Sequence, residues 1–436
     1  MDLLNSAERV HIVGVGGVSM SALADIFRSD GYAVSGSDMR ESSATRSLAD
    51  SGVKIYIGHR ASNLDDNPDI VLRTAAAGDD NPEIVAARER GIPVMERAAA
   101  CGWLMRKYKD VLCVAGTHGK TTTTGMCSQI ALAANLNPTI MLGGTLPAID
   151  AGHVLGGEEL MVFEACEYKN SFLSFFPTVA VILNVELDHV DFFKSLDEFK
   201  ASFTKFAALA SRAVIVNADD PDAVSCVEGL DNVLTFGKNA DVTLDGKTVL
   251  IHGKPYCELS LRVPGEHNVL NALAACAAAF VLGIDGRYAA EGLNNFTGTG
   301  RRFQRIGLYN GAEVVDDYAH HPTEVRATLQ AAKSLGYKRV LVAFQPHTYT
   351  RTAALFGDFA DALKAADRVY MAEIYAAREK PTGLSSAKLA DALPNAEYYP
   401  TLTKIADALK QDARDGDIIL TMGAGDITDV GHSILA

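Results

Sequence analysis

The most chemically loaded stretch of the chain is a lysine set between a glycine and a run of threonines. Gly116, Thr117, His118, Gly119, Lys120, Thr121 and Thr122 follow an apolar strand pattern, Val111-Leu-Cys-Val-Ala, and open a helix. Backbone amides in such a loop cradle phosphates, Lys120 balances their charge, and the Thr121 hydroxyl suits Mg2+. The full phosphate-loop pattern has a glycine where this chain has Val114, so the loop is a shortened form. A second glycine cluster, Gly14, Gly16 and Gly17 with Ser19 and Met20, also lies between strand and helix, and Ser37 and Asp38 end the next strand. Amides there can approach a diphosphate, and Asp38 stands where an acid meets a ribose. Ser19 replaces the third glycine of the dinucleotide pattern, so another nucleotide diphosphate fits as well as NAD, and a plain strand–turn–helix is the bland alternative.

Acids suited to a hard cation come next: Glu164 at a strand end, then Glu186, Asp188, His189 and Asp191. Taken alone, His189 reads as a cap or surface histidine, and Asp188 and Asp191 as helix-start residues. Asn268 and Asn271 lie one helical turn apart and either read an adenine edge or cap the helix. Arg301 and Arg302 suit anion pairing, or ordinary surface charge. Asp316, Asp317, Tyr318, His320 and His321 follow a strand. Adjacent histidines suggest zinc, but no further Cys or His lies at helical spacing, so zinc is set aside. Gln345 to Arg351 follows another strand, and Arg351 can fork onto a carboxylate.

These stretches need strand ends to hold them. Strand patterns at Val10–Val15, Ala33–Gly36, Lys54–Ile57, Ile70–Arg73 and after Gly91 alternate with helical patterns. The same alternation follows at Val111–Gly116, Leu160–Glu164, Val179–Asn184 and Ala213–Asn217, then at Ala312–Asp316, Arg339–Phe344, Arg368–Met371 and Asp417–Met422. That is an α/β chain of parallel, doubly wound sheets, which bind ligands at strand carboxyl ends. Its 436 residues make two or three domains at roughly 150 each. Breaks fall near Met105–Asp110 and Thr297–Arg301, giving expected domains 1–107, 108–299 and 300–436. The 40 Lys and Arg against 54 Asp and Glu give −14, which disfavours nucleic acid and anionic membranes as partners. Seven cysteines without C-x-x-C or zinc spacing fit a reducing, cytoplasmic setting. The N-terminus does not read as a signal peptide. The apolar run Ala272–Gly283 is shorter than the about 20 residues of a membrane span and reads as a buried helix.

With these motifs in order, the chain resembles the Mur ligase family over essentially its full length, the alanine-adding members above all. The carrying stretches are Gly14–Met20 with Ser37-Asp38, GTHGKTTTT (Gly116–Thr124), NVELDHVD (Asn184–Asp191), NADDP (Asn217–Pro221), HNVLNA (His267–Ala272), RRF (Arg301–Phe303), DDYAHHPTE (Asp316–Glu324) and QPHTYTR (Gln345–Arg351). The resemblance implies a Rossmann-like UDP-binding domain, a central P-loop-type ATP-binding domain and a C-terminal Rossmann-like domain. It implies ligation of L-alanine to the lactyl carboxylate of UDP-N-acetylmuramate through an acyl phosphate, with ATP and Mg2+, by a monomer or weak homodimer. Carried over by motif, Gly14, Gly16, Gly17, Ser19, Met20, Ser37, Asp38 and His59 would serve the UDP-sugar. Gly116, Thr117, His118, Gly119, Lys120, Thr121, Thr122, Asn268, Asn271 and Arg302 would serve ATP. Thr121, Glu164 and His189 would hold Mg2+, and Tyr318, His320 and Arg351 the amino acid. Lys120, Glu164, His189 and Arg351 would carry the chemistry.

Two departures stand out. Cys166, Tyr168 and Lys169 stand where many members of this ligase class have Asp, Ser and Asp, which reads as a subgroup form, and Thr348 stands where arginine is frequent. Competing readings are a ligase that attaches a ready-made peptide to the same sugar nucleotide, a non-catalytic nucleotide-binding regulator on this scaffold, and a nicotinamide-dependent dehydrogenase. The last leaves the Gly116–Thr124 loop without a job.

Overall fold

The computed structural model describes residues 3–190, 192–377 and 379–436. Three sheets follow one another along the chain. The first has five parallel strands in the order Lys54–Ile57, Ala33–Asp38, Arg9–Val13, Ile70–Arg73, Val94–Glu96. Chain direction across the sheet reverses between Arg9–Val13 and Ile70–Arg73, so a crevice opens at their carboxyl ends. Gly14 and Gly16 sit on that crevice. Gly14 adopts φ +79°, and a Cβ on Gly16 would press on the Asp38 carboxylate, which instead accepts the Gly16 amide at 2.9 Å.

The second sheet has ten strands. Its parallel centre runs Val233–Phe236, Ala213–Asn217, Val179–Ile182, Asp110–Ala115, Leu160–Glu164, Thr139–Leu146. Antiparallel neighbours finish both edges: Ala151–Val154 on one side, and the pairs among Val242–Asp245, Thr248–Ile251 and Lys254–Glu258 on the other. Asp110–Ala115 lies between Val179–Ile182 and Leu160–Glu164, so residues 116–119, 165–167 and 183–189 leave the sheet side by side. Helices Lys120–Ala133, Glu266–Val281 and Gly286–Asn294 pack together on one face, and the expected buried helix is the alanine-rich middle one.

The third sheet runs Gln304–Tyr309, Ala312–Asp317, Ile418–Met422, Val340–Phe344, Arg368–Met371, Ala396–Tyr398, parallel except for the first strand. Every strand expected from the sequence is present, so the α/β class stands. The strands that were not expected lie mostly toward the sheet edges, where antiparallel pairing relaxes the strong apolar pattern. Among the described residues, no helix is long and apolar enough to cross a membrane.

The cores divide unevenly. One apolar cluster runs unbroken from the first sheet to one face of the second, through Leu23, Phe27, Trp103, Cys113, Phe163 and Phe172. Trp103 stacks on Phe27 with ring centroids 5.9 Å apart. The third sheet has separate cores of its own. Apolar packing therefore fastens the first domain to the second. Helix Arg97–Met105 carries this contact onto residues 168–174, and Gly102 is the point of closest approach, because a Cβ there would overlap the Ser174 carbonyl oxygen. Gly102→Ala is expected to destabilise the protein by about 1–3 kcal/mol through this overpacking. Denaturant unfolding followed by the fluorescence of Trp103, the single tryptophan, measures it.

Candidate active site

The phosphate-type loop is closed on itself. Gly119 caps the helix at φ +81°, and Lys120 curls back so that Nζ donates to the carbonyls of Gly116 at 2.5 Å and Thr117 at 3.0 Å and to the Glu167 carboxylate at 3.1 Å. Burial alone would strip Lys120 of its proton more easily, but Glu167, Cys166 and Glu164 outweigh it and the pKa rises. Glu167 is 1% exposed; burial pushes its carboxyl up, and Lys120 and His189 more than reverse this. Thr121 Oγ1 donates to Glu164 at 2.9 Å, and the Gly143 amide does so at 2.6 Å. The His189 ring lies 3.5 Å from Glu167 and tilted against Tyr168, and Lys120 Nζ lies 3.1 Å from each Glu167 oxygen. A hydroxyl, two carboxylates and an imidazole so gathered suit a hard divalent cation that keeps some water. Glu167 is a member of this group that the sequence reading passed over.

Asp188 is not a helix-start residue: the next helix is Leu196–Ala207, capped by Ser195. Asp191 lies outside the described residues. Neither Asn268 nor Asn271 caps a helix either, since Gly265 holds that position. Asn268 Nδ2 instead donates to the Pro264 carbonyl at 2.6 Å and Asn271 Nδ2 to Asn268 at 3.3 Å. Both line a cavity of about 290 Å³ between the second and third domains, with Gly119, Thr122, Arg302 and Glu324. Arg302 pairs with Glu324 at 3.5 Å, and its guanidinium lies over the Tyr318 ring at 5.2 Å. Burial raises the Asp317 carboxyl to about 6, although Arg302 opposes this.

Beside the same gap, His118 pairs with Glu186 of its own domain at 2.8 Å through one ring nitrogen and reaches across to Glu324 at 3.3 Å with the other. Thr323 Oγ1 donates to Glu186 at 2.9 Å. His118, Glu186 and His321 thus come within 4.8 Å, so the partners that the adjacent histidines lack in sequence arrive from another domain. Burial lowers the His118 pKa, but the two carboxylates outweigh it and lift it to about 9. With both ring nitrogens of His118 facing carboxylates, one on each side of the domain gap, the cluster forms an ion-pair latch.

Arg351 lies at the start of the short helix Tyr349–Ala354, behind Thr348 at φ +66°. Its guanidinium forks onto Asp188, with Nη2 at 2.8 Å and Nε at 3.2 Å from Oδ1, and Nη1 lies 3.2 Å from His347. Asp188 and Arg351 are 7% and 8% exposed. Tyr318 sits under Arg301 and Arg302 and edge-on to His320.

The first domain's crevice is a cavity of about 560 Å³ lined by Gly14, Gly17, Asp38, His59, Thr74 and Asn81. Ser37 is fully buried and donates to Glu83 at 2.6 Å; His59 lies 3.0 Å from Ser37 and 3.1 Å from Glu83. Met20 is 2% exposed and packs in the core, so its side chain does not reach the crevice. A second cavity, about 240 Å³, runs from Ser19 and Thr74 past Arg97 to Glu164, Cys166 and Tyr168. It links the two domains' strand ends.

The His118 latch has a signed consequence. Its folded pKa is raised, so the stability it adds is complete below the unfolded value near 6.5 and is lost as pH rises through about 9. Thermal midpoints of the wild type and His118→Gln are expected to converge between pH 7 and pH 10. A gap that stays constant over that range contradicts a charged His118.

Matches to known proteins cover the whole chain. Three family models fit in sequence: Mur ligase family, catalytic domain, over residues 9–109; Mur ligase middle domain over 114–279; and Mur ligase, glutamate ligase domain, over 301–425. A UDP-N-acetylmuramate–L-alanine ligase of Clostridium novyi is 46% identical over 451 residues, covering 99% of this chain and 98% of that protein. One from Agathobacter rectalis is 44% identical, covering 98% and 97%. Among solved structures, the UDP-N-acetylmuramate–alanine ligase of Thermotoga maritima superposes with a TM-score of 0.83 at 33% identity, covering 98% of each chain. A murein peptide ligase of Psychrobacter arcticus gives 0.73 at 25% identity, also covering 98% of each. The chain belongs to the Mur ligase family.

Proposed function

We propose that this protein uses ATP to join L-alanine to the lactyl carboxylate of UDP-N-acetylmuramate, giving ADP and phosphate, in peptidoglycan precursor synthesis. Full-length likeness to ligases of that name supports the substrates. The observation that carries the reading onto these residues is the Arg351–Asp188 ion pair, which sets a carboxylate-binding arginine one residue from His189 and the phosphate loop's cluster.

A carboxylate is a poor electrophile, so the lactyl carboxylate first takes the γ-phosphoryl group and ADP leaves. Lys120 balances charge on the phosphates, and the helix-start amides of Gly119 to Thr122 cradle them, those of Thr117 and His118 being held by Asn184. Mg2+ suits Thr121, Glu164 and His189, and when bound it supplies further positive charge at the phosphate oxygens. The amine of L-alanine then attacks the acyl carbon, phosphate leaves and the amine gives up a proton. Arg351 on the alanine carboxylate, with Tyr318 and His320 beside it, aims the amine. Asn268 and Asn271 meet the adenine, and Arg302 lies near the phosphates. Gly14, Gly16, Gly17, Ser19, Ser37, Asp38 and His59 serve the UDP-sugar, with Met20 contributing backbone only. The domains on this reading are 1–107, 108–299 and 300–436. The setting is the cytoplasm, and the protein works as a monomer or weak homodimer without nucleic-acid or membrane partners.

Phosphate release from ATP with Mg2+ and UDP-N-acetylmuramate tests this directly. Release that depends on L-alanine, with the ligated product seen by mass, is the expected result. Release only with L-Ala-D-Glu-meso-diaminopimelate moves the reading to a peptide-attaching ligase, and no release with either acceptor moves it to a regulator. Lys120→Ala is expected to abolish turnover while UDP-sugar binding, measured by calorimetry, persists. Arg351→Ala is expected to raise the L-alanine KM by about tenfold or more, the value of a charge-assisted fork, with the UDP-sugar KM little changed.

A further inference from the structure

The Arg351–Asp188 pair is buried, bidentate and formed between domains by residues 163 positions apart. A buried pair of this kind resists the loss of either member, because the other is left charged without water or partner. A carboxylate that takes Arg351 therefore has to leave Asp188 with another cation. The imidazoles that share the field of Asp188 with Arg351 are His189, His320, His321 and His347, and His347 also stands next to Arg351 itself. His320 and His347 are driven by burial down to about 3 and about 4, so neither supplies a positive charge near neutral pH, and burial lowers His321 as well. The remaining fixed donor to Asp188 is the His189 amide, at 2.6 Å.

An α-amino acid carries both missing charges on one carbon. Resting on the alanine-ligase reading above, we propose that Asp188 binds the α-ammonium of the acceptor amino acid, so that the incoming zwitterion exchanges the Arg351–Asp188 ion pair for two new ones. Arg351 belongs to the third domain and Asp188 to the loop 183–189 of the second. The exchange orients the acceptor from one domain to the other, with the nitrogen toward His189 and the Lys120–Glu164 cluster where the acyl group is made. It also gives selectivity without a side-chain pocket: a carboxylate lacking the amine gains Arg351 but strands Asp188.

Calorimetric binding of L-alanine and of propionate, which keeps the carboxylate and lacks the amine, tests the assignment. The titrations use the full chain with UDP-N-acetylmuramate and a non-hydrolysable ATP analogue, for the wild type, Asp188→Asn and Asp188→Glu. In Asp188→Asn, L-alanine is expected to weaken by about tenfold or more, whereas propionate tightens because Arg351 has lost its resident acid. Asp188→Glu retains the charge and is expected to keep L-alanine bound more tightly than propionate. Equal weakening of both ligands in Asp188→Asn means a structural role and overturns the proposal, as does no change in either. If Asp188→Asn does not fold, loss of the preference for L-alanine over propionate in Asp188→Glu overturns it. A failure of the ligase reading is recognised separately, because wild-type protein then shows no L-alanine-dependent phosphate release.

Discussion

A cation taken out of water has to be paid back by an anion, and three of the cations at this site each keep a protein carboxylate as their partner. Lys120 holds Glu167, Arg302 holds Glu324 and Arg351 holds Asp188. Desolvating an ion costs several kcal/mol, which no single hydrogen bond offsets, so a lone buried lysine would shed its proton and a lone arginine would stay in solvent. The acids keep the cations charged inside the clefts. On the proposed function, ligands that carry phosphates or a carboxylate then compete with an anion already in place rather than with water. That arrangement sharpens selection, since only a ligand that also satisfies the displaced acid binds without penalty. On that reading, Mg2+ near Glu167 and an ammonium near Asp188 would be two ways of meeting the same requirement.

The two domain junctions follow from different forces. The first domain is joined to the second through Phe27, Trp103, Phe163 and their neighbours, an apolar contact with no preferred alternative partner. The second and third domains meet through ion pairs and hydrogen bonds: His118 with Glu324, Thr323 with Glu186, and Arg351 with Asp188. Polar contacts of this kind can be traded for ligand contacts at little net cost, and apolar ones cannot. On the proposed function, the third domain would be the one whose position is coupled to what binds, with residues 297–301 as its connection.

Much of this was legible in the sequence because strand-to-loop transitions carry strong local signals. Apolar runs ending in Gly116, Glu164 or Asp317 mark the carboxyl ends of central strands, and all of them lie at the clefts. The edge strands, such as Lys254–Glu258 and Ala396–Tyr398, were missed because they are short and largely exposed, so their apolar pattern is weak. The acids that partner the cations were harder still. Glu167 follows a strand end by three residues with no spacing that distinguishes it, and Glu83 lies on a helix far from Ser37 in sequence. Asp188 was seen as a metal-type acid or a helix start, and only the fold brings Arg351 onto it. The pair of histidines at 320 and 321 shows the same limit: its neighbours His118 and Glu186 are supplied by a different domain, which no local spacing encodes.

The central claim is that resident carboxylates hold the site's cations until substrates replace them. A crystal structure of the full chain with UDP-N-acetylmuramate, a non-hydrolysable ATP analogue, Mg2+ and L-alanine tests it most directly. The account predicts that Lys120 has left Glu167 for phosphate oxygens and that Arg351 has left Asp188 for the alanine carboxylate. Both cations still on their own acids, with the ligands bound beside them, would contradict it.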